Sequence, residues 1–276
     1  MTVAQWIVPL VALLAAGLGA GFAGGLFGIG GGFVVVPALF AVLPLLGASP
    51  GEIAHVAIGT SLATIVATSI RSVHAHAKRD AVEFAILRSW APWIVLGVGA
   101  GVLLAARVSG AGLALIFGAG VTLMALHFLF PMLAGRQLAQ SMPGGAARAG
   151  IAGGLGAFSS LLGIGGGTIA IIVMTLCGKS IHRAIATASG VGAIIAIPGM
   201  LGFMWIGRAA EGLPIGSIGY VNVPAALIVT SMSMISAPWG VAAAHKLSPA
   251  VLGRVFGIYL LGVGVLMVRN GLAHLG

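Results

Sequence analysis

Charge is what this 276-residue chain has least of, because 13 Lys and Arg and 4 Asp and Glu residues make up only 6% of it. A soluble domain of this length carries charge on about a quarter of its residues. Apolar residue types reach 59%, and mean hydropathy is +1.17. These values exclude a soluble globular domain, and the same hydrophobicity excludes an intrinsically disordered chain. We therefore expect an integral membrane protein.

The chain also lacks the side chains of common catalytic and metal sites. Its one cysteine, Cys177, excludes an intramolecular disulfide and any paired-cysteine metal or redox motif. No Ser/His/Asp arrangement, Walker loop or HExxH pair is present. We predict no enzymatic activity, no cofactor and no bound metal. All four acidic residues lie in loops or at helix ends, which argues against a carboxylate cation site within the membrane: Glu52, Asp80, Glu83 and Glu211.

Ten apolar stretches account for most of the chain. A helix needs about 20 apolar residues to cross a bilayer, with about 17 as the lower limit. Six or seven stretches meet that length, and three are too short to cross: Phe33–Leu46, Ala149–Leu162 and Ile169–Cys177. The alternating pattern of membrane strands is absent, so an all-α protein is predicted. The other stretches are Val3–Phe27, Ile53–Val73, Ala91–Val108, Leu113–Ala134, Ala184–Ile206, Ile218–Ala244 and Val251–Val268.

An internal duplication organises these stretches. The glycine segment Leu26–Gly32 recurs as Leu161–Gly167, and His55–Thr60 recurs as His182–Thr187. A third pair of blocks, beginning at Arg107 and Lys246, follows in the same order. We predict two units of five stretches each, residues 1–140 and 141–276. Because five is odd, the two units should lie in opposite orientations, as in the inverted repeats of many secondary transporters.

The few basic residues indicate how the chain lies in the membrane. The loop that holds Lys78, Arg79 and Arg88 should be cytoplasmic under the positive-inside rule. An alternating path from this loop leaves Arg107, Arg208 and Arg269 outside, with both termini. The net charge of +9 is thus explained by topology, and no nucleic-acid partner is expected. The path places ten basic residues inside: Arg71, Lys78, Arg79, Arg88, Arg136, Arg148, Lys179, Arg183, Lys246 and Arg254.

The two glycine segments are the candidate substrate site. Each precedes a short apolar stretch, whose helix should begin at Phe33 or at Thr168. The first amides of a helix are unpaired and carry partial positive charge, so two such ends meeting near the midplane would hold an anion without a charged side chain. The alternative is that the glycines only permit close helix packing. We favour packing for Gly17, Gly21, Gly97 and Gly101, and the site for the duplicated triplets.

Hydroxyl and imidazole groups complete the candidate set. Repeat-equivalent hydroxyls early in the third stretch of each unit can donate to an oxyanion or bond to the preceding turn. Three histidines are candidates for coupling or gating, with polar capping or an interhelical bond as the alternative: His55, His127 and His182. The predicted substrate-binding residues are Gly30, Gly31, Gly32, Phe33, Thr60, Ser61, Gly165, Gly166, Gly167, Thr168 and Thr187.

The duplicated glycine segments, each followed by an Ala-Ile-x-Thr helix start, resemble the sulfite exporter TauE/SafE family. The second-half segment from Ala237 to Pro249, with Leu252–Gly257, is similar as well. The resemblance runs from Ala20 to about Arg269. It implies a multi-pass permease of the bacterial inner (plasma) membrane for small sulfur-containing anions such as sulfite or sulfoacetate, often an exporter. Ala188 departs from the symmetry, since Ser61 occupies its place in the first copy.

The functional hypothesis is therefore an anion exporter that works by alternating access. Other readings stay open: a transporter of another small organic anion or of a metal cation, or a membrane-embedded assembly factor. A metal-cation transporter would need acids or paired histidines at membrane depth, and an assembly factor would need cofactor ligands. The expected partners are a small anionic substrate and the lipid bilayer. A homodimer is one of the oligomeric states left open.

Overall fold

The computed structural model describes residues 3–27, 31–130, 137–244 and 249–273. Ten α-helices form within these ranges, and seven of them are long and apolar enough to cross a membrane. The protein is thus nearly all-helical, and the seven long apolar helices fit the predicted multi-pass membrane protein. The helices are α1 (Val3–Phe27), α2 (Gly32–Val42), α3 (Ile53–Ala77), α4 (Phe84–Ala105), α5 (Gly110–Leu129), α6 (Gly145–Leu162), α7 (Gly167–Leu176), α8 (Ile181–Ile206), α9 (Val223–Ala244) and α10 (Pro249–Ala273).

One departure from the all-helical prediction is a small hairpin between α8 and α9. Strand β1 (Ser217–Ile218) pairs antiparallel with β2 (Val221–Asn222). The turn between them contains Gly219 at φ 53°, a conformation that glycine adopts without steric cost. The hairpin was missed because two-residue strands are too short to produce a period-two pattern.

The short helices α2 and α7 both follow a glycine segment. They begin at Gly32 and Gly167, one residue before the predicted starts, and a 3₁₀ turn (Leu43–Leu46) extends α2. Helix α2 packs on the preceding helix α1, whereas α7 packs mainly on the following helix α8. Gly31 lies against the carbonyl of Ala20 in α1, and Gly166 lies against Ser159 in α6.

Glycines set the closest helix contacts, as predicted for Gly17, Gly21, Gly97 and Gly101. A Cβ atom at Gly17 would lie 2.6 Å from Cβ of Met232, and a Cβ atom at Gly21 would collide with the backbone of Ser233. Gly97 and Gly101 of α4 lie equally close to α6. Such contacts are typical of membrane helices, in which small residues let backbones approach and van der Waals packing supplies the stability.

The contacts also give the relative directions of the helices. Successive glycines of α1 meet successively later residues of α9, so these helices run parallel, and α4 and α6 do likewise. In contrast, α3 and α8 run antiparallel, since Leu62 lies at Gly199 and Ser69 at Gly192. Helices α5 and α10 are antiparallel as well. Among the seven long helices, α3 and α8 are the most buried, and the candidate site lies beside them.

Candidate functional site

The two glycine segments meet in the interior of the protein. Gly31 and Gly166 hold corresponding positions before α2 and α7, and both adopt left-handed backbone conformations, with φ 74° and φ 64°. A Cβ atom at Gly32 would lie 2.9 Å from the carbonyl oxygen of Gly163. Gly165 packs against Ile65 of α3 and Gly192 of α8. The two segments thus meet at Gly32 and Gly163, and Gly30 lies outside the described residues.

The start of α7 contains two buried hydroxyl groups that have no hydrogen-bond partner in the described residues. Thr168 is 7% exposed and Ser159 is 0% exposed. A Cβ atom at Gly166 would lie 2.8 Å from the Oγ atom of Ser159, and Thr168 follows Gly166 by two residues, so both residues lie beside this glycine. An unpaired buried polar group costs about 1–3 kcal/mol. A pair of them at one place therefore needs a physical explanation, and a bound ligand is one.

Backbone amides add donors at the same place. The first backbone bond into α7 runs from the amide of Ala170 to the carbonyl of Gly166, at 3.0 Å. The amides of Gly167 and Thr168 precede it and have no acceptor within the helix. The helix dipole adds partial positive charge at this end. The start of α7 is thus a cluster of neutral hydrogen-bond donors.

The corresponding start of α2 is apolar. Phe33 stands where Thr168 stands in the second copy, and its buried ring meets Phe256 edge to face, with 6.2 Å between ring centroids. The amides of Val34 and Val35 both bond to the carbonyl of Gly31. Of the two helix starts that the sequence makes equivalent, only that of α7 carries side-chain donors.

Ser61 of α3 binds the second glycine segment. Its hydroxyl donates to the carbonyl oxygen of Gly163 over 2.7 Å, and Thr64 donates to the carbonyl of Ser61. The Ser61 proton is therefore engaged with the backbone in this conformation and is not free to bind an anion. Ala188, at the equivalent position in α8, cannot make such a bond, so the link is confined to one copy.

Thr60 and Thr187 each hold a loop of the other half of the chain. Thr60 accepts a hydrogen bond from the amide of Asn222, and Thr187 accepts one from the amide of Glu83, each at 2.9 Å. Asn222 directly precedes α9, and Glu83 directly precedes α4. Each threonine therefore fixes a loop of the other half of the chain, in reciprocal fashion. Their own protons form no bond to another described residue.

A cluster of Glu52, His55, Tyr220 and Asn222, the Glu52 cluster, closes one end of α3. His55 Nε2 lies 3.1 Å from the carbonyl oxygen of Ala105, and the ring stacks on Tyr220. Nδ1 of His55 lies 3.9 Å from a Glu52 oxygen. Burial, followed by the hydrogen bond to Glu52, raises the pKa of Tyr220 well above its ordinary value, so the phenol stays protonated. His55 is thus a buried packing and capping group at this end.

A second cluster, the Glu83 cluster, lies at the other end of α3 and was not predicted. Glu83 accepts bonds from Nζ of Lys179 at 2.8 and 3.0 Å, and Arg183 NH1 lies 3.6 Å away. With Thr187 it ties the loop before α4 to the start of α8. The signal that could have predicted this cluster was the pair of basic residues Lys179 and Arg183 on either side of His182. His182 itself is exposed. His182 and His55 are therefore equivalent in sequence but not in environment.

His127 lies apart from the glycine segments, in a groove between α5, α6 and α7. The groove has a volume of about 1200 Å³, and its wall is almost wholly apolar, with Phe130, Phe158 and Ile169 among its residues. A smaller groove of about 470 Å³ lies between α1, α2 and α10. Both are formed by equivalent helices of the two copies. Within the described ranges, no group of three His, Cys, Asp or Glu side chains comes together.

Sequence reasoning missed Ser159. Aligned on the two glycine segments, Ser159 and Ser160 stand opposite Gly24 and Gly25. The available signal was this asymmetry, because a hydroxyl residue in the second copy is aligned with a glycine in the first. Only the fold distinguishes the two serines, because Ser160 donates to the carbonyl of Ala157 whereas Ser159 has no partner in the described chain.

These features define a class, namely a multi-pass membrane protein whose buried polar groups are neutral and gather around broken helices. The chain belongs to the sulfite exporter TauE/SafE family, whose model matches residues 13–267. A probable membrane transporter protein of Haemophilus influenzae is 34% identical over 94% of this chain and 97% of its own length. One of Methanocaldococcus jannaschii is 30% identical over 94% and 95%. No solved structure matches the chain. The family confirms the resemblance, and the protein is a membrane transporter.

Proposed function

We propose that this transporter is a plasma-membrane permease that exports a small sulfur oxyanion or organosulfonate, such as sulfite or sulfoacetate. The observation that carries the proposal is the start of α7, where two residues with buried, unpartnered hydroxyls lie beside the left-handed Gly166. Hydroxyl and amide donors at a helix N-terminus are suited to the oxygen atoms of an anion. The matched family is described as a sulfite exporter family, and this description favours sulfur oxyanions over other anions as the substrate.

The proposed mechanism is alternating access between two inverted halves, residues 1–140 and 141–276. Its support is the helix directions, since the equivalent helices α3 and α8 are antiparallel, as are α5 and α10. The Glu52 and Glu83 clusters join the halves at opposite ends of α3 and serve as the two gates. Rocking of one half against the other breaks one cluster and keeps the other intact.

Export follows from the membrane potential without a coupling ion. A monovalent anion that leaves a cell at −100 mV gains about 2.3 kcal/mol, and a dianion gains twice as much. Among the described residues, every buried polar side chain is a hydroxyl apart from His55 and Asn222. The described charged side chains thus lie outside the buried interior. The membrane potential therefore acts on the charge of the transported anion.

Flux in proteoliposomes tests this function. At an imposed potential of 100 mV, negative inside, a monovalent anion should reach an outside-to-inside ratio of about 50. The measurement is efflux of radiolabelled sulfite, with protein-free liposomes as the control. Efflux no faster than from the control liposomes would contradict sulfite transport, and flux indifferent to the potential would contradict uncoupled export.

A further inference from the structure

The two halves offer unequal chemistry to a ligand at the glycine segments. Ser159 and Thr168 of the second half stand opposite Gly24 and Phe33 of the first. Phe33 is buried against Phe256, so it presents an apolar ring in place of a hydroxyl. An anion between the halves would find side-chain donors on one side only.

The two hydroxyls are not accounted for by the fold. Other buried hydroxyls bond to the backbone: Ser61 to Gly163, Ser160 to Ala157 and Ser233 to Gly17. Ser159 and Thr168 alone among the buried serines and threonines of the described ranges have a fully enclosed hydroxyl without a partner. Both residues lie beside Gly166, whose missing side chain leaves space beside Ser159 Oγ. Their protons are therefore available to one ligand at one place.

Among the described residues, no basic side chain bonds to either hydroxyl. Arg148, on α6, is the nearest basic residue in sequence to Ser159, and it lies in the first turn of that helix, at the far end. Lys179 is engaged with Glu83 beyond the end of α7. The cost of moving an ion out of water rises with the square of its charge, whereas its attraction to neutral dipoles rises only in proportion. A site of neutral donors thus favours a single charge over a double one.

We infer that the substrate is bound as a monoanion by the second half alone, with the Ser159 and Thr168 hydroxyls and the first amides of α7 as its ligands. This inference rests on the proposed function and narrows it. The favoured substrates are hydrogen sulfite and alkyl sulfonates that bear one charge. The first half closes over the anion with Gly31, Gly32 and its apolar neighbours and gives it no side-chain hydrogen bond.

Thermal unfolding of the purified protein measures this binding, because a ligand of the folded state raises the melting temperature. The probes are methanesulfonate, with one negative charge, and sulfate, with two, and both present oxygens on sulfur. We expect methanesulfonate to stabilise the wild-type protein at lower concentration than sulfate does. Ser159→Ala and Thr168→Val should each weaken methanesulfonate binding about tenfold or more, the loss expected for one hydrogen bond to a charged group.

Ser160→Ala is the matched control, because Ser160 lies next to Ser159 in α6 and is equally buried, yet its hydroxyl is already bonded. It should leave methanesulfonate binding unchanged. Ser159→Ala removes an unsatisfied group, so the ligand-free variant should melt at the wild-type temperature or above it. A hydroxyl with a purely structural role would lower the melting temperature on removal.

Each contrary outcome has a distinct meaning. Equal or tighter binding of sulfate overturns the monoanion assignment. Unchanged methanesulfonate binding in both Ser159→Ala and Thr168→Val overturns these ligands, and so does an equal loss in Ser160→Ala. Sulfite efflux by the same preparation distinguishes failure of the ligand assignment from failure of the proposed export function. Efflux without the expected binding pattern contradicts only the ligand assignment. Absence of both efflux and binding contradicts the assignment and the export function together.

Discussion

Single hydroxyl groups provide nearly all the polarity inside this transporter. Most of them are consumed by the backbone, as in the bond from Ser61 to the carbonyl of Gly163. This bond has a structural role, since it fixes the glycine segment against α3 before any ligand arrives. The hydroxyls of Ser159 and Thr168 are fully enclosed and have no hydrogen-bond partner in the described residues. This is why we propose them as ligands, because a donor already satisfied offers little to a substrate.

Gly166 is the residue whose replacement should be most damaging at the site. A Cβ atom there would lie 2.6 Å from Ile195 Cδ1 and 2.8 Å from Ser159 Oγ, and φ 64° is strained for a branched side chain. Gly166→Val should therefore reduce sulfite efflux at least tenfold, and Gly31→Val, which meets the Ala20 carbonyl, should do likewise.

Gly99→Val is the control for this prediction, since nothing lies within 4 Å of its Cβ position. Gel filtration and the amount of protein recovered separate misfolding from loss of transport. Sulfite efflux at the wild-type rate in Gly166→Val would contradict a role for the glycine segment in transport.

At the scale of elements, the protein depends on two short helices and on the loops that cover the ends of α3 and α8. Helix α7 places its N-terminus in the interior because the chain reverses at Gly163 and Gly166, both left-handed. The loops are fixed by Thr60 and Thr187, each of which accepts a bond from the other half. The same two threonines are also predicted substrate ligands, and their loop contacts place them beside the proposed gates.

The Glu83 cluster should control access to the end of α7. Cys177 ends this helix and is buried, two residues before Lys179. Breaking the bonds from Lys179 and Arg183 by Glu83→Gln should loosen this end and speed maleimide labelling of Cys177 several-fold, as expected for local opening of a weakened segment.

Glu211→Gln is the matched control, because Glu211 is exposed in the loop before α9 at the other end of the molecule. The labelling rate of the purified protein is the measurement. An equal rate in wild type and Glu83→Gln would show that the ion pairs do not hold this end closed.

At the scale of the whole molecule, the charges and the helix directions together imply one orientation. Helix α4 runs parallel to α8, since Leu87 lies at Gly190 and Val102 at Gly202. The starts of α5 and α9 lie near the start of α3, where Gly110 meets Gly51 and Asn222 binds Thr60. Helices α3, α5 and α9 therefore run one way, and α4, α8 and α10 run the other. Since ten of the 13 basic residues were predicted on the cytoplasmic side, the Glu83 cluster should face the cytoplasm and the Glu52 cluster the exterior.

Cysteine labelling in intact cells checks this orientation. In a Cys177→Ser background, Glu211→Cys should react with a membrane-impermeant maleimide, whereas Arg79→Cys should react only after lysis. Both positions are exposed, so accessibility within the protein does not limit the reaction. Labelling of Arg79→Cys in intact cells, without that of Glu211→Cys, would reverse the orientation.

Much of the architecture could be predicted from the sequence. The apolar stretches gave the helices to within a few residues, since a bilayer demands about 20 apolar residues for each crossing. The glycine segments correctly marked the two chain breaks. The roles of Gly17 and Gly97 in close packing were also predictable, because small residues are what brings membrane helices together.

What the sequence by itself determined was class and family, because these depend on composition, spacing and repeated local motifs. Only the tertiary structure decided which polar groups are free. Thr60 and Ser61 are adjacent in sequence, yet one holds Asn222 and the other Gly163. Ser159 and Ser160 differ in the same way. Hydrogen-bond satisfaction is a relation between atoms distant along the chain, so it appears only once the helices are packed.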